Sequence, residues 1–179
     1  MQTAQRYSVP VAVKVMNPLL RALLGRGLSM GPAVLLTVRG RKSGRQRTTP
    51  VGIFERNGHR WLFAEFGQVN WVRNLRATPR AEIRSGRRRE SIVAVELSPA
   101  EAGAVLRDVV VPWLRGPRGR MAAWMADPSL LTVSDTTPAA ELLREAERYP
   151  IFEIKSSPAA DDSWREQREG GNDAHEATS

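Results

Sequence analysis

The pattern of apolar positions changes from helical to strand-like near residue 33. In the first thirty residues, apolar side chains recur at every third or fourth position, which predicts an amphipathic helix over 1–30 with interruptions at Pro10 and Pro18. We expect this helix to pack on the folded domain. The alternative is that it lies on a membrane surface. The apolar positions are Val9, Val13, Met16, Leu19, Leu20, Leu23 and Leu24.

From Ala33 onward, short apolar or alternating runs predict strands. Asn57-Gly58 is the signature of a type I′ hairpin turn, and the basic turn 85–89 joins another pair of runs. Because the runs come in hairpins and do not alternate with crossover helices, an antiparallel sheet is favoured over a Rossmann sheet. The predicted strands are 33–38, 48–55, 60–65, 81–84, 90–96 and 149–155.

Three helices complete the prediction, over 70–77, from 99 to about 113, and over 138–148. We expect Asn70 to cap the first helix and Pro79 to prevent its continuation. Ser98 and Glu101 form a capping-box signature at the start of the second. The fold class is therefore α+β, a small antiparallel barrel with helices packed outside.

Composition excludes several classes of protein. The 179 residues contain no cysteine and two histidines, so a disulfide scaffold, an iron–sulfur cluster and a zinc site are not expected. We assign no metal ligand and no catalytic residue. Because no apolar run approaches the length of about 20 residues that spans a bilayer, we expect a cytoplasmic protein. Membrane association through the N-terminal helix is the alternative.

Charge is distributed unevenly along the chain. The net charge is +8, but residues 156–179 hold six acids and two bases, a net of −4, so residues 1–155 carry +12. The acidic segment has little to bury and is predicted to be disordered. The chain therefore divides into the helix 1–30, a barrel over 31–155 and the tail 156–179. The basic body should attract an anionic partner.

The most basic stretch is the loop between the first two predicted strands. Five bases and no acid fall within residues 39–47, and the glycines at 40 and 44 allow backbone amides to turn toward a ligand. Such a loop suits a phosphate or a carboxylate. A solvated hairpin tip and a nucleic-acid contact remain alternatives. Nucleic acid is disfavoured because no aromatic residue interleaves with these bases.

A second candidate feature is the predicted helix that contains Trp71, Asn74 and Leu75. One helical turn places Trp71 beside the other two side chains. A flat aromatic paired with an amide suits a planar ring. The alternative is that Trp71 and Leu75 only anchor the helix on the barrel.

Four segments together resemble the deazaflavin-dependent nitroreductase family. That resemblance implies a split β-barrel of the FMN-binding type, often dimeric, that binds coenzyme F-420. This coenzyme is an 8-hydroxy-5-deazaflavin with a phosphate and an oligoglutamate tail, both of which suit the basic loop. The segments are Thr37-x-x-Gly40-Arg41-Lys42-Ser43-Gly44, Arg47-Thr48-Thr49-Pro50, Trp71-x-x-Asn74-Leu75-x-Ala77-x-Pro79 and Tyr149-Pro150-Ile151-Phe152-Glu153.

The resemblance also implies a set of site residues. Pro50 and its strand would lie along the coenzyme, while Trp71 and Asn74 would lie near it. One departure concerns the loop 64–70, which is shorter than is typical of the family and carries Glu65 where a small hydroxyl residue is usual. The implied contacts to phosphate and tail are Arg41, Lys42, Ser43, Arg47 and Thr48.

The implied reaction is hydride transfer between reduced F-420 and a flat apolar small molecule such as a quinone or a nitroaromatic. We expect the acceptor to contact the N-terminal helix and the Trp- and Met-rich segment 113–125. The resemblance also implies a homodimer. Two other functions stay open: an FMN-binding split-barrel protein, and a basic nucleic-acid-binding barrel without activity.

Overall fold

Six antiparallel strands form a closed barrel in the computed structural model, which describes residue 18 and residues 21–26, 33–116 and 136–156. The strand order around the barrel is β1-β2-β3-β6-β5-β4. The antiparallel barrel predicted from the sequence is thus confirmed. The strands are β1 (Ala33–Arg39), β2 (Gln46–Arg56), β3 (His59–Phe63), β4 (Arg80–Ser85), β5 (Arg88–Glu96) and β6 (Ile151–Ser156).

The helices of the described segments lie between and after the hairpins. Residues 21–25 are helical as well. The positive φ angles at Asn57 (52°) and Gly58 (79°) agree with the predicted hairpin turn between β2 and β3. The helices are α1 (Asn70–Ala77), α2 (Pro99–Val105), a π-helical turn (Leu106–Val110), α3 (Val111–Arg115) and α4 (Ala139–Arg148).

The structure confirms the predicted cap of α2 and contradicts the predicted cap of α1. At α2 the capping box is present, with Ser98 Oγ accepting from the Glu101 N–H and the Glu101 carboxylate accepting from the Ser98 N–H. At α1 the prediction that Asn70 is the cap was wrong. Val69 holds the cap position without a side-chain hydrogen bond, because the preceding turn, closed by the Val69 N–H on Gly67 O, delivers Val69 in an extended conformation.

The single helix predicted from 99 to 113 contains a π-helical turn before Pro112. Proline has no N–H, so it gives no helical hydrogen bond to the carbonyl four residues earlier, that of Asp108. The Arg56 guanidinium donates to this carbonyl instead. The end of β2 is thereby tied to the outer helices.

Alternation along the strands separates an inner core from an outer one. Val34, Leu36 and Val38 face the barrel interior, and Val72 and Leu75 of α1 join the same cluster, so α1 closes one end of the barrel. The outer core packs the other side of the sheet against the helices after β5. Its main members are Phe54, Phe63, Tyr149, Leu106 and Leu114.

An ion pair lies at the opposite end of the barrel from α1. Arg60 donates to both carboxylate oxygens of Glu90, at 2.6 and 2.8 Å, and the Ser156 hydroxyl donates to Glu90 at 2.7 Å. The hydrogen bonds from Arg60 are the largest cause that lowers the pKa of Glu90, to about 2. The Glu90 carboxylate of the folded protein is therefore ionised at neutral pH.

Part of the predicted N-terminal helix packs on the outer face of the barrel. Leu24 is 2% exposed, and the Arg84 guanidinium donates to Gly25 O at 2.6 Å. Most of the predicted helix 1–30, the segment 117–125 and the tail beyond residue 156 lie outside the described residues. The proposed division of the chain therefore stays a prediction.

Candidate functional site

The basic loop between β1 and β2 is a compact turn held by two glycines. The Gly40 N–H donates to Arg45 O at 2.9 Å, and the Gly44 N–H donates to Gly40 O at 2.8 Å. Gly44 has a φ of +67°, and a Cβ at Gly40 would stand 3.0 Å from Arg45 O. Side chains larger than hydrogen would strain the turn at both positions.

The loop carries cations and hydrogen-bond donors, and it contains no acidic side chain. The side chains of Lys42, Ser43, Arg45 and Arg47 are exposed. Within the described part of the chain, the backbone N–H groups of Lys42 and Ser43 form no hydrogen bond. Unpaired amides beside exposed cations fit an anion such as a phosphate or a carboxylate.

Arg41 and Asn74, two of the residues predicted for the site, contact each other. Asn74 Oδ1 accepts from the Arg41 backbone N–H at 3.3 Å and from the guanidinium at 3.0 Å. Asn74 is 5% exposed and lies on the face of α1 toward the barrel. These bonds fix the loop to α1, so both residues position the loop in the structure as it stands.

Thr48 and Pro50 lie on the first half of β2. The Thr48 hydroxyl and that of Thr37, its partner in β1, are 2.9 Å apart and share a hydrogen bond. β3 pairs with β2 only from Gly52 to Arg56, so residues 46–51 have a strand partner on the β1 side alone. The missing N–H of Pro50 is tolerated on such an unpaired edge. We call residues 46–51 the open edge of β2.

Trp71 is half-buried at the start of α1, where its indole packs against Phe152 with ring centroids 5.8 Å apart. It therefore anchors α1 on the barrel interior. Its contact with a coenzyme stays a prediction, as do the coenzyme contacts of the other seven site residues predicted from the sequence.

The turn between β3 and α1 holds a residue that was not among those assigned to the site. Glu65 is half-buried there, and burial raises the pKa of its carboxyl to about 7. The turn is closed by the Gly67 N–H on Ala64 O at 2.9 Å. A carboxylate placed directly after the apolar run that ends in Ala64 is the sequence signal that could have identified it.

A cleft of about 550 Å³ lies at the other end of β2 from the basic loop. Trp113, one of the residues expected near the acceptor, lines it and meets Phe54 edge to face, with centroids 5.2 Å apart. From Thr48 to Phe54 the strand advances about 20 Å. The lining residues are Ile53, Phe54, Glu55, Arg56, Asp108, Val109, Pro112 and Trp113.

The described ranges contain neither a metal-binding cluster nor a helix that could span a membrane. No three His, Cys, Asp or Glu side chains there are grouped so that they could hold a metal ion. None of the helices there has the length and apolar character needed to cross a bilayer.

Comparison with known proteins identifies the family. The model of the F420H(2)-dependent quinone reductase family matches residues 13–116, which is more than half of the chain and includes the basic loop, the open edge and α1. The chain belongs to this family. Its resemblance to deazaflavin-dependent reductases is thereby confirmed, and so is the expected coenzyme, F-420. An F-420-dependent quinone reductase is an oxidoreductase, so the protein belongs to a family of redox enzymes.

Several solved structures align with most of this F-420-dependent reductase at low sequence identity. A structure described as a domain-swapped dimer is 21% identical, covering 77% of this chain and 95% of its own, with a TM-score of 0.42. An F420-H2 dependent reductase, FDR-A, is 23% identical, covering 72% and 98%, with a TM-score of 0.39. A conserved hypothetical protein from Mycobacterium tuberculosis is 17% identical, covering 86% of each chain, with a TM-score of 0.40. No curated protein matches.

Proposed function

We propose that this protein transfers hydride between reduced F-420 and a flat apolar acceptor, a quinone or a nitroaromatic. The observation that carries the proposal is the basic loop beside the open edge of β2. The loop offers unpaired amides and exposed cations, while the edge offers backbone groups without a strand partner. An elongated ligand with an anionic end matches this arrangement.

The residues of the loop fit the charged groups of F-420. Lys42, Ser43 and Arg47 are exposed and would bind the phosphate and the oligoglutamate carboxylates. Arg41 and Asn74 would act mainly by holding the loop against α1. When bound, the coenzyme supplies the hydride, and this chain supplies binding and orientation.

The rest of the coenzyme would extend along the open edge of β2. Thr48 and Pro50 are half-buried there, and the backbone of residues 46–51 has no neighbour on the β3 side. Trp71 and Asn74 lie at the same end of the barrel, on the helix that closes it. These positions support the proposed order of contacts, from the loop to the edge.

The family description names a quinone as the acceptor, and a nitroaromatic is a flat apolar molecule of the same kind. Both can be reduced by two electrons, and both carry an oxygen that takes up a proton when they are reduced. We propose this acceptor class for the chain together with a homodimeric assembly, which the family resemblance implies. Light scattering of the purified protein would measure the assembly.

Coenzyme titrations test the proposed function. Quenching of tryptophan fluorescence should show tighter binding of F-420 than of FMN, because only F-420 brings several carboxylates to the loop in addition to its phosphate. A deazaflavin without phosphate and tail serves as the matched ligand control and should bind most weakly. Equal or tighter binding of FMN, or preferential binding of duplex DNA, would overturn the proposal.

A further inference from the structure

Alternate residues of β2 form one face that runs from the basic loop to the cleft. Because successive side chains of a strand point to opposite faces, Thr48, Pro50, Gly52, Phe54 and Arg56 share the face that looks away from the barrel interior. Gly52 has no side chain there, and the Phe54 ring lies 3.6 Å from the place that a Cβ of Gly52 would take. Chain neighbours aside, no other atom of the described residues lies within 4 Å of that place. A ligand that follows the open edge therefore meets the Phe54 ring next.

The cleft has the size and the apolar walls of a small-molecule site. Its volume of about 550 Å³ falls within the range of about 300–1,000 Å³ that is usual for such sites. Phe54 and Trp113 meet in its wall with their ring planes 89° apart, and Phe63 also meets Phe54 edge to face, with ring centroids 5.9 Å apart. Val109 and Pro112 add apolar surface from the outer helices. Packed aromatic walls of this kind suit a flat ring system.

The cation of the cleft is the guanidinium of Arg56, which the outer helices hold in place. Arg56 donates to the Asp108 carbonyl, the acceptor that Pro112 leaves without a helical donor. Within the described ranges Arg56 forms no other hydrogen bond, and its side chain is exposed. A guanidinium offers several N–H donors in a planar fork, so donors remain for a ligand in the cleft.

Neither of the carboxylates in the cleft takes these donors. The Asp108 carboxylate accepts from Arg107, at 2.7 and 3.0 Å. Glu55 alternates to the opposite face of β2, where it is paired with Arg60 in the β2–β3 register. Arg56, Arg107 and Asp108 together leave one positive charge unbalanced. The cleft therefore has a place for a negatively charged oxygen beside its aromatic walls.

On the basis of the proposed function, we propose that this cleft binds the acceptor and that Arg56 selects acceptors with an anionic oxygen, such as hydroxylated naphthoquinones. The rings would lie against Phe54 and Trp113, and the oxygen would accept hydrogen bonds from the Arg56 guanidinium. From Thr48 to Arg56 the strand advances about 26 Å. The anionic end of the coenzyme and the anionic oxygen of the acceptor would thus bind at opposite ends of one strand face, where they repel each other little.

The first experiment measures binding without coenzyme. Equilibrium dialysis of the full chain should show that 2-hydroxy-1,4-naphthoquinone, an anion at neutral pH, binds about 5- to 10-fold more tightly than neutral 1,4-naphthoquinone. Arg56→Gln should remove this preference, and Arg56→Lys should keep part of it because the positive charge remains. The matched control is Arg87→Gln, which removes an exposed arginine from the turn between β4 and β5 and should bind both naphthoquinones as the wild type does.

Two further variants locate the binding site. Trp113→Leu should weaken the binding of both naphthoquinones, because it removes an aromatic wall and no charge. Lys42→Ala should leave the preference for the anion in place. If Lys42→Ala removes the preference and Arg56→Gln does not, the anion binds the basic loop and the proposal is overturned. Equal affinities of the wild type for the two naphthoquinones would overturn it as well.

Steady-state kinetics with reduced F-420 separate this proposal from the proposed function. Arg56→Gln should raise KM for the anionic naphthoquinone about 5- to 10-fold more than KM for the neutral one. Equal changes of the two KM values in a variant that binds F-420 would overturn the role of Arg56 alone. Failure of the wild-type protein to bind F-420 would overturn the proposed function together with the role of the cleft as acceptor site.

Discussion

Asn74 Oδ1 accepts two hydrogen bonds from Arg41, one from the backbone N–H and one from the guanidinium, across 33 positions of the sequence. A buried amide on α1 thereby determines where the exposed loop between β1 and β2 is placed. The cations of the loop need this support because the loop itself has no core.

Asn74→Ala should weaken both folding and coenzyme binding. The substitution leaves the Arg41 N–H without its partner and should cost about 1–2 kcal/mol of unfolding free energy. Urea denaturation measures the stability, and fluorescence titration measures the affinity. A variant with normal stability and normal F-420 affinity would show that the bond between Arg41 and Asn74 does not position the loop.

Lys42→Ala and Arg47→Ala should affect binding only. Each should weaken the binding of F-420 by about 1–3 kcal/mol, the range for hydrogen bonds to charged groups, while the stability of the free protein changes little. Added salt should weaken binding less in either variant than in the wild type. The matched control is Arg87→Ala, an exposed arginine in the turn between β4 and β5, at the other end of the barrel.

If both loop variants bind F-420 normally and unfold at lower urea concentrations, the loop has a structural role. The proposed function would then depend on family membership alone.

Glu90→Gln should destabilise the protein by about 1–3 kcal/mol near neutral pH, because it removes one partner of a half-buried bidentate pair. The folded pKa of Glu90, about 2, lies below its ordinary value of 4.5. The contribution of Glu90 is therefore complete above pH 4.5 and is lost as the pH falls toward 2. Glu96→Gln, in the more exposed pair with Arg76, should cost less. Equal losses would contradict the role of burial.

Glu65 should produce a pH dependence of the opposite sign. Its folded pKa of about 7 lies above 4.5, so the folded protein binds more protons than the unfolded chain between these values. The unfolding free energy should therefore fall as the pH rises from 4.5 to 7, by up to about 3 kcal/mol. Denaturation at pH 5 and pH 8 measures the change. Glu65→Gln should reduce it, and an equal fall in this variant would show that other groups cause it.

Local signals explain why much of the fold could be predicted. The turn at Asn57-Gly58 and the capping box at Ser98 depend on neighbouring residues, and both are present in the structure. The expected cap at Asn70 failed because the hydrogen bonds of the preceding turn decide where α1 begins. Strand ends moved for the same reason, since β3 stops at Phe63 where that turn starts.

The candidate site was predictable in part. A cluster of bases around two glycines is visible in the sequence, and so is the family motif that contains it. The positioning role of Asn74 was not visible, because its partner Arg41 lies on another element. The raised pKa of Glu65 was not visible in the sequence either, because the burial that causes it is created only when the folded chain brings the turn before α1 against the start of β6.

Pro50 has a consequence for how copies of this protein behave in solution. An unpaired strand edge can accept a strand from another molecule and so begin aggregation. On the open edge of β2, Pro50 lacks the N–H that such a strand would need, and the charge of the exposed Arg47 repels an identical edge. The barrel can therefore keep one edge free for a small ligand and still resist strand addition by its own copies.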